Sequence, residues 1–386
     1  MGKDTETQRG AIRVSVIECF ADLPDPRIDR NKEHKLIDII VIAICAVIAG
    51  CEACTQIAEY GRRKESWLRK FLELPNGIPS HDTFSRVLAL IDPVKFQECF
   101  MRWAAVLHRA TGGKIVAIDG KTLRRSFDEA DGLGPLHLVS AWCSDNHISL
   151  GQVAVDSKSN EITAIPALLE LLQIEGATVT IDAAGCQRAI ASTIRDQKAD
   201  YVLALKKNQN TLYEDVEACF QQAQIQESVG SPCSVHETQE KGHGREEYRK
   251  TYSLPVPEGF RHQALWRDLK SIGMICSRRV LEGREESEVR YFISSRECDA
   301  EALSHAARSH WGIENSLHWV LDVTFREDDS RIRKGFGAQN MAALRRIAVS
   351  LLKREPTKQS IATKRLMAAW DDDYLLRVLL AANDTS

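Results

Sequence analysis

The chain has 386 residues, 44% of them hydrophobic and 27% charged, with a formal net charge of −3 and eleven cysteines. That length exceeds one usual domain and allows a large core, so two or three units are expected. The balance is that of an ordinary soluble globular protein; it excludes a disordered chain and gives no global signal for a polyanion partner.

Local charge is less even than the total. Basic clusters occur at Arg62-Arg63-Lys64, at Lys121 with Arg124-Arg125, at Lys206-Lys207, at Arg331 with Arg333-Lys334, at Arg345-Arg346 and at Lys353-Arg354. Such stripes steer a polyanion when they gather on one face, although any one of them alone reads as a solvated surface. The cysteines are scattered, often inside apolar runs, as thiols in a reducing compartment are. Cys51-Glu52-Ala53-Cys54 is a lone C-x-x-C without a second pair or a strand before it, and reads as two core cysteines. The polar start of the chain and the short apolar stretch Leu36 to Gly50, which contains Asp38, predict a soluble cytoplasmic protein with no membrane partner.

Residues 11–110 read as a small all-α domain. Ile12, Val16, Ile17 and Phe20 recur at helical spacing, and Pro24-Asp25-Pro26 stops that helix. Further helices are expected over Lys35 to Ala49 and Thr55 to Phe71. Ser80 is placed to cap a helix through Phe84, Val87 and Leu88, and Asp92-Pro93 opens another through Phe96, Phe100, Trp103 and Leu107.

At Thr111-Gly112-Gly113 the character changes. A strand at 114–119 precedes two alternating segments, 136–143 and 148–155, separated by Ser144-Asp145-Asn146-His147, which is a hairpin signal. A helix from Glu161 to Leu172, a strand at 178–182, a helix at 186–197 and a strand at 201–205 complete a βββαβαβ order, predicting a mixed sheet with helices on its faces. After a helix from Thr211 to Gln222, segments 244–253, 271–280 and 287–294 read as a β-rich insertion at about 225–298. Gly283-Arg284 is a candidate turn within it. Helical patterning returns at Ala300 to Asp322 and from Gly337 to Lys353.

Three carboxylates are set where they are presented rather than merely solvated. Asp119 closes Ile115-Val116-Ala117-Ile118, Asp182 closes Val179-Thr180-Ile181, and Glu314 lies in the helical stretch His310-Trp311-Gly312-Ile313-Glu314-Asn315. If the strands at 114–119 and 178–182 are parallel neighbours, Asp119 and Asp182 emerge at the same end of the sheet, where open α/β sheets place their sites. Hard oxygen ligands of this kind suit Mg²⁺ or Mn²⁺, and two such ions support phosphoryl transfer. Glu314 borders an apolar face of Ile313, Leu317, Val320 and Leu321. His310, Glu314 and His318, spaced by four, form a polar row that also reads as a zinc site or a hydrated face. Glu327-Asp328-Asp329 is an alternative source of the third ligand, without an apolar helix frame.

Ala117-Ile118-Asp119-Gly120-Lys121-Thr122, Ser159-Asn160-Glu161-Ile162, Thr180-Ile181-Asp182-Ala183, Tyr201-Val202-Leu203-Ala204-Leu205-Lys206 and the stretch His310 to Asn315 resemble the DDE insertion-sequence transposases, and among them the H-repeat-associated group. Pro79-Ser80-His81-Asp82-Thr83-Phe84 is similar to the helical region that precedes the catalytic domain there. The resemblance runs from about residue 20 to about 355. It implies a ribonuclease-H-like catalytic domain over 111–386, with Asp119, Asp182 and Glu314 holding two Mg²⁺ or Mn²⁺ ions for attack by water or a DNA 3′-hydroxyl on a phosphodiester. It further implies cleavage of terminal inverted repeats, transfer into target DNA, a homodimer on DNA and a nucleoid-associated location.

The pattern departs from many relatives upstream and downstream of the Glu. Where they place Tyr, Arg and Lys to grip the element end, this chain has Ala307, His310 and Leu321. Its basic and aromatic groups there are Arg308, His310, Trp311, His318 and Trp319, so end binding and hairpin formation are not carried over from the resemblance. His310, Trp311 and His318 are candidate DNA contacts, with Trp311 and Trp319 stacking on an unpaired base or else buried. Lys121, Arg124, Lys206, Lys207 and Asn208 follow the strand-end sites closely enough to be phosphate contacts. Asn160 reads as a helix N-cap. The rival functions are a metal nuclease that cuts without joining and a non-catalytic DNA-binding relic.

Overall fold

The computed structural model describes residues 17–111, 114–127, 134–156, 159–225, 233–242, 245–281 and 284–381. The expected helix start at Ile12 to Val16 and the glycines Gly112, Gly113 and Gly283 lie outside these residues. In chain order the helices α1 (Leu36–Ile48), α2 (Cys54–Leu68), α3 (His81–Leu90) and α4 (Pro93–Thr111) precede β1 (Ile115–Thr122), β2 (His137–Cys143) and β3 (Ile148–Ala154). Then come α5 (Glu161–Leu171), β4 (Thr178–Ile181), α6 (Arg188–Asp196), β5 (Asp200–Leu205) and α7 (Asn210–Ile225). Four strands follow: β6 (Ser234–Gly242), β7 (Arg245–Pro255), β8 (Ser271–Leu281) and β9 (Arg284–Ser294). The chain ends with α8 (Ala300–Ile313), a π-helical turn (Glu314–His318), α9 (Trp319–Val323), α10 (Gly337–Arg354), α11 (Ile361–Trp370) and α12 (Asp372–Leu380). The protein is thus a mixed α/β chain with a mixed sheet and a helical N-terminal region, as the sequence pattern predicts.

Two compact units emerge: one of Met1–Gly113, Gly120–Ser157 and Glu314–Ser386, the other of Lys114–Asp119 and Lys158–Ile313. In the first, α1 is buried almost throughout, which explains its unbroken apolar run. Its one charged residue, Asp38, accepts the Leu74 amide at 3.0 Å, and burial raises its carboxyl. Ser80 caps α3 by accepting from Thr83 N, and Asp92 Oδ1 accepts from Val94 N ahead of Pro93. These are the bonds their sequence positions predict. Helix α10 is buried on nearly every residue and packs on α1, α3, α4 and β3. The N-terminal helices and the β2–β3 hairpin therefore share a core with C-terminal helices, and compactness does not divide the chain at residue 110, where composition changes.

In the second unit the strands run β1-β4-β5-β9-β8-β7-β6. β1, β4 and β5 are parallel, with Ile118 beside Ile181 and Ile181 beside Leu203. β9 joins β5 antiparallel through Val202↔Ser294 to Leu205↔Tyr291. The β-rich segment therefore extends this sheet instead of forming a body of its own. Its inner end is buried (Tyr291, Phe292 and Ile293), whereas Arg284 to Val289 are exposed. Helix α8 buries Leu303 and Ala306 against Ile115, Val202, Ile275 and Phe292. It lies so close to β8 that a Cβ on Gly273 would stand 2.2 Å from Leu303.

Candidate active site

Asp119 and Asp182 come together because two apolar runs stop at the same level. Ile115 to Ile118 and Val179 to Ile181 are buried and pair in parallel, with Ile118 opposite Ile181 as the last matched pair. The next residue on each strand is an aspartate. Adjacent strands lie about 4.8 Å apart, so the two carboxylates start from neighbouring points at the C-terminal edge of the sheet. Both residues are partly exposed.

The turn after β4 fixes Asp182. Its Oδ1 accepts from the amides of Ala184 at 3.1 Å and Gly185 at 3.2 Å, an Asx turn that does not use the other oxygen. Gly185 is required there by space: a Cβ would meet Ile181 Cγ2 at 2.2 Å and Ile165 Cδ1 at 3.1 Å. Asn208 Nδ2 donates to Ala183 O at 2.7 Å and Gln209 Nε2 to Cys186 O at 3.0 Å, so the segment after β5 braces this turn. Asn208, expected as a DNA contact, spends its amide on that brace. Burial pushes the Cys186 thiol up to about 12, which removes it as a nucleophile. Lys206 and Lys207 are exposed just beyond β5, at the same edge as the aspartates because β4 and β5 are parallel.

His310, on the last turn of α8, faces the sheet: its Nδ1 lies 3.2 Å from Thr180 Oγ1, two residues before Asp182. Trp311 is 38% exposed, but the Arg290 guanidinium covers one face of its ring at 4.6 Å from the centroid. Glu314 begins the π-helical turn and is exposed. A π turn bonds i to i+5, so it shifts the faces of the helix relative to a spacing of four. Hence the expected row of His310, Glu314 and His318 is broken. Ile313, Leu317, Val320 and Leu321 are buried as predicted, but so is His318, which is enclosed rather than offered to a backbone. Trp319 is 58% exposed.

Lys121 also departs from expectation. Its side chain is 7% exposed, and its ammonium lies 2.7 Å from Asp322 Oδ1, 2.9 Å from Asp328 Oδ1 and 3.7 Å from Glu327 Oε2. A cation enclosed by three carboxylates is no phosphate grip. Arg124 is 82% exposed and meets only the rim of that cluster, with Nε 3.2 Å from Asp328 Oδ2. Glu327 is fully buried against Arg346 at 3.1 Å and Arg345 at 3.9 Å. The acidic run 327–329 is thus engaged with basic partners. Asn160 stands at the N-cap of α5, but its side chain makes no capping bond.

Asp119 and Asp182 are hard oxygen donors of the sort that hold Mg²⁺ or Mn²⁺, and the Asx turn leaves Asp182 Oδ2 outside the backbone bonds. Among the described residues no three His, Cys, Asp or Glu are gathered as metal ligands are. The structure therefore supplies a strand-end pair, not a closed cage. Cys51 and Cys54 are free, half-buried thiols raised by burial, Cys51 to about 11. No described helix is long and apolar enough to cross a membrane.

Two family models match the chain: a "DDE_Tnp_1-associated" region over residues 17–104 and a "Transposase DDE domain" over residues 110–351. The "Putative transposase YncI" of Escherichia coli O157:H7 is 41% identical over 375 residues, 96% of this chain and 95% of the relative. The "H repeat-associated putative transposase YhhI" of Escherichia coli K12 is 39% identical over 370 residues, 94% and 97% of the two chains. An "Inactive transposase YbfQ" of the same strain is 38% identical over 74 residues, 19% of this chain and 88% of the relative. A fainter likeness, TM-score 0.39 at 10% identity over 96% of this chain and 80% of the other, is to piggyBac transposase in a synaptic complex with hairpin DNA, and it specifies nothing about the site. With the domain model spanning 110–351 and relatives near 40% identity over almost their whole length, this chain belongs to the DDE transposase family.

Proposed function

We propose that the protein is an active DNA transposase that cuts the ends of its element and joins them to a target, on a ribonuclease-H-like scaffold. The observation that carries this reading is the register of β1 and β4, which sets Asp119 and Asp182 side by side at one sheet edge. Together with Glu314 they would hold two Mg²⁺ or Mn²⁺ ions. Those ions, when bound, supply activation of an attacking oxygen and neutralisation of the leaving oxygen. The protein's own part is positional. The Ala184 and Gly185 amides fix one Asp182 oxygen, Asn208 braces the turn, and His310 against Thr180 sets the helix one turn before Glu314. Lys206 and Lys207, exposed beyond β5, are suited to the backbone of the bound DNA. The partners in this reading are terminal inverted repeats and target DNA, with two copies of the chain pairing two ends.

The test is cleavage of a linear duplex bearing the inverted repeats, in Mg²⁺ and in Mn²⁺, with and without a target plasmid. Cleavage followed by joined product supports the proposal. Cleavage without joining would make the protein a nuclease. DNA binding without cleavage, unchanged by Asp119→Asn, would make it a relic, a reading that the relative named inactive keeps in view.

A further inference from the structure

The first unit carries a second basic feature, apart from the strand-end aspartates, that packing does not consume. Two short segments supply it: Arg124 and Arg125 after β1, and Arg331, Arg333 and Lys334 before α10. The nearby carboxylates are largely committed elsewhere. Glu327 faces Arg345 and Arg346, Asp322 and Asp328 face Lys121, and Asp329 is shared between Arg125 at 3.4 Å and Arg326 at 3.2 Å. Arg124 shares Asp328 and is otherwise open to solvent. Among the described residues no carboxylate lies within ion-pair distance of Arg331, Arg333 or Lys334.

The two segments are held to each other. Arg333 Nε donates to the Arg125 carbonyl at 2.9 Å, and its guanidinium lies over the Phe127 ring at 4.4 Å from the centroid. Among the described residues the terminal nitrogens of the fork make no other hydrogen bond or ion pair, and a guanidinium with two such donors suits a phosphate. The 331–336 loop is itself fixed. Gly335 has φ +52 and sits so near α3 that a Cβ would be 2.5 Å from Ala89 O, and Phe336 N donates to that same carbonyl at 3.0 Å. A pre-ordered array gives up little entropy on binding.

We propose that Arg124, Arg125, Arg331, Arg333 and Lys334 form a binding site for the phosphate backbone of duplex DNA, one that reads no sequence. This rests on the transposase reading for the identity of its polyanion. Duplex is favoured over single strands because Arg333 covers the Phe127 face on which an unpaired base would stack.

The experiment is fluorescence anisotropy of a labelled 30-base-pair duplex with full-length protein in EDTA, so that nothing is cut, across a salt series. Arg331→Gln with Lys334→Gln removes two charges that make no ion pair among the described residues. It should weaken binding roughly tenfold at 0.1 M salt and flatten the log–log salt slope by about 2. The loss should be equal on random duplex and on inverted-repeat duplex. Arg333→Gln should add to it and Arg333→Lys should recover the slope. Arg62→Gln, whose partner is Glu59, should change nothing. Wild-type affinity and slope in the double variant would overturn the site, and so would a tenfold preference for single strands. A wild type that binds duplex with this dependence yet never cleaves in Mn²⁺ leaves the site standing and removes the transposition reading.

Discussion

Lys121 and Asp322 form an ion pair of 2.7 Å between the strand that has just carried Asp119 and the helix that follows Glu314 in the chain. Asp328 adds a second contact at 2.9 Å. Burial raises the Asp322 carboxyl while Lys121 opposes that shift, so the cation offsets the cost of enclosing the acid. Lys121→Met leaves these carboxylates without their cation. The pair is neither at the surface nor wholly enclosed, so a loss of about 2 kcal/mol is expected. Urea denaturation checks this, with Lys121→Arg retaining part of the stability. An unchanged midpoint in Lys121→Met would show that the pair contributes nothing.

The β2–β3 turn provides a pH test. His147 has φ +55, and its ring lies 6.2 Å from that of Trp142. Burial, aided by the charge of Lys353, lowers its pKa from the ordinary value. A depressed folded pKa means that stability is complete above the unfolded value, about 6.5, and is lost as pH falls through the folded one. Asn tolerates the left-handed conformation. Thus wild type should lose stability between pH 7 and pH 5 that His147→Asn keeps. Parallel pH profiles of the two urea midpoints would contradict the assignment.

Much of this was readable from local pattern. Apolar runs ending in Asp gave both strand ends, since buried parallel strands need continuous hydrophobicity and the first polar residue marks the edge. Ser80 and Asp92 announced their helices for the same local reason. What escaped depends on distant partners or on faces without contrast. Lys121 reads as a surface cation until Asp322, Glu327 and Asp328 arrive from about 200 residues away. β6 carries no strand signal because its side chains are exposed or half-exposed on both faces, leaving no apolar alternation. His318 reads as part of a polar row because nothing in its spacing signals a π turn. Helices α11 and α12, additional to those expected, do carry Ser360 and Asp371 as capping signals.

Gly185→Ala tests whether the Asx turn matters to the chemistry. The added methyl would collide with Ile181 Cγ2 at 2.2 Å inside packed surroundings, so the turn must shift. Overpacking of this kind costs about 1–3 kcal/mol. Cleavage should fall at least tenfold because Asp182 moves with the turn, while duplex binding in EDTA stays within twofold. Normal cleavage in a folded Gly185→Ala protein would show that the turn has no part in positioning Asp182.

Metal-linked stability separates the candidates for the third donor. Adjacent carboxylates repel one another, so a divalent ion that binds only the folded state should raise Tm with its concentration. Mn²⁺ added to wild type should give such a rise, and EDTA should reverse it. Asp119→Asn and Asp182→Asn should each blunt it, since either removes one of the strand-end pair. Glu314→Gln should blunt it too if the exposed carboxylate at the start of the π turn completes the set. Asp329→Asn, whose partners are Arg125 and Arg326 at the rim of the basic cluster, should leave the response as in wild type. A full Mn²⁺ response in Glu314→Gln, with loss of it in Asp329→Asn, would move the third ligand to the acidic run and end the assignment of Glu314.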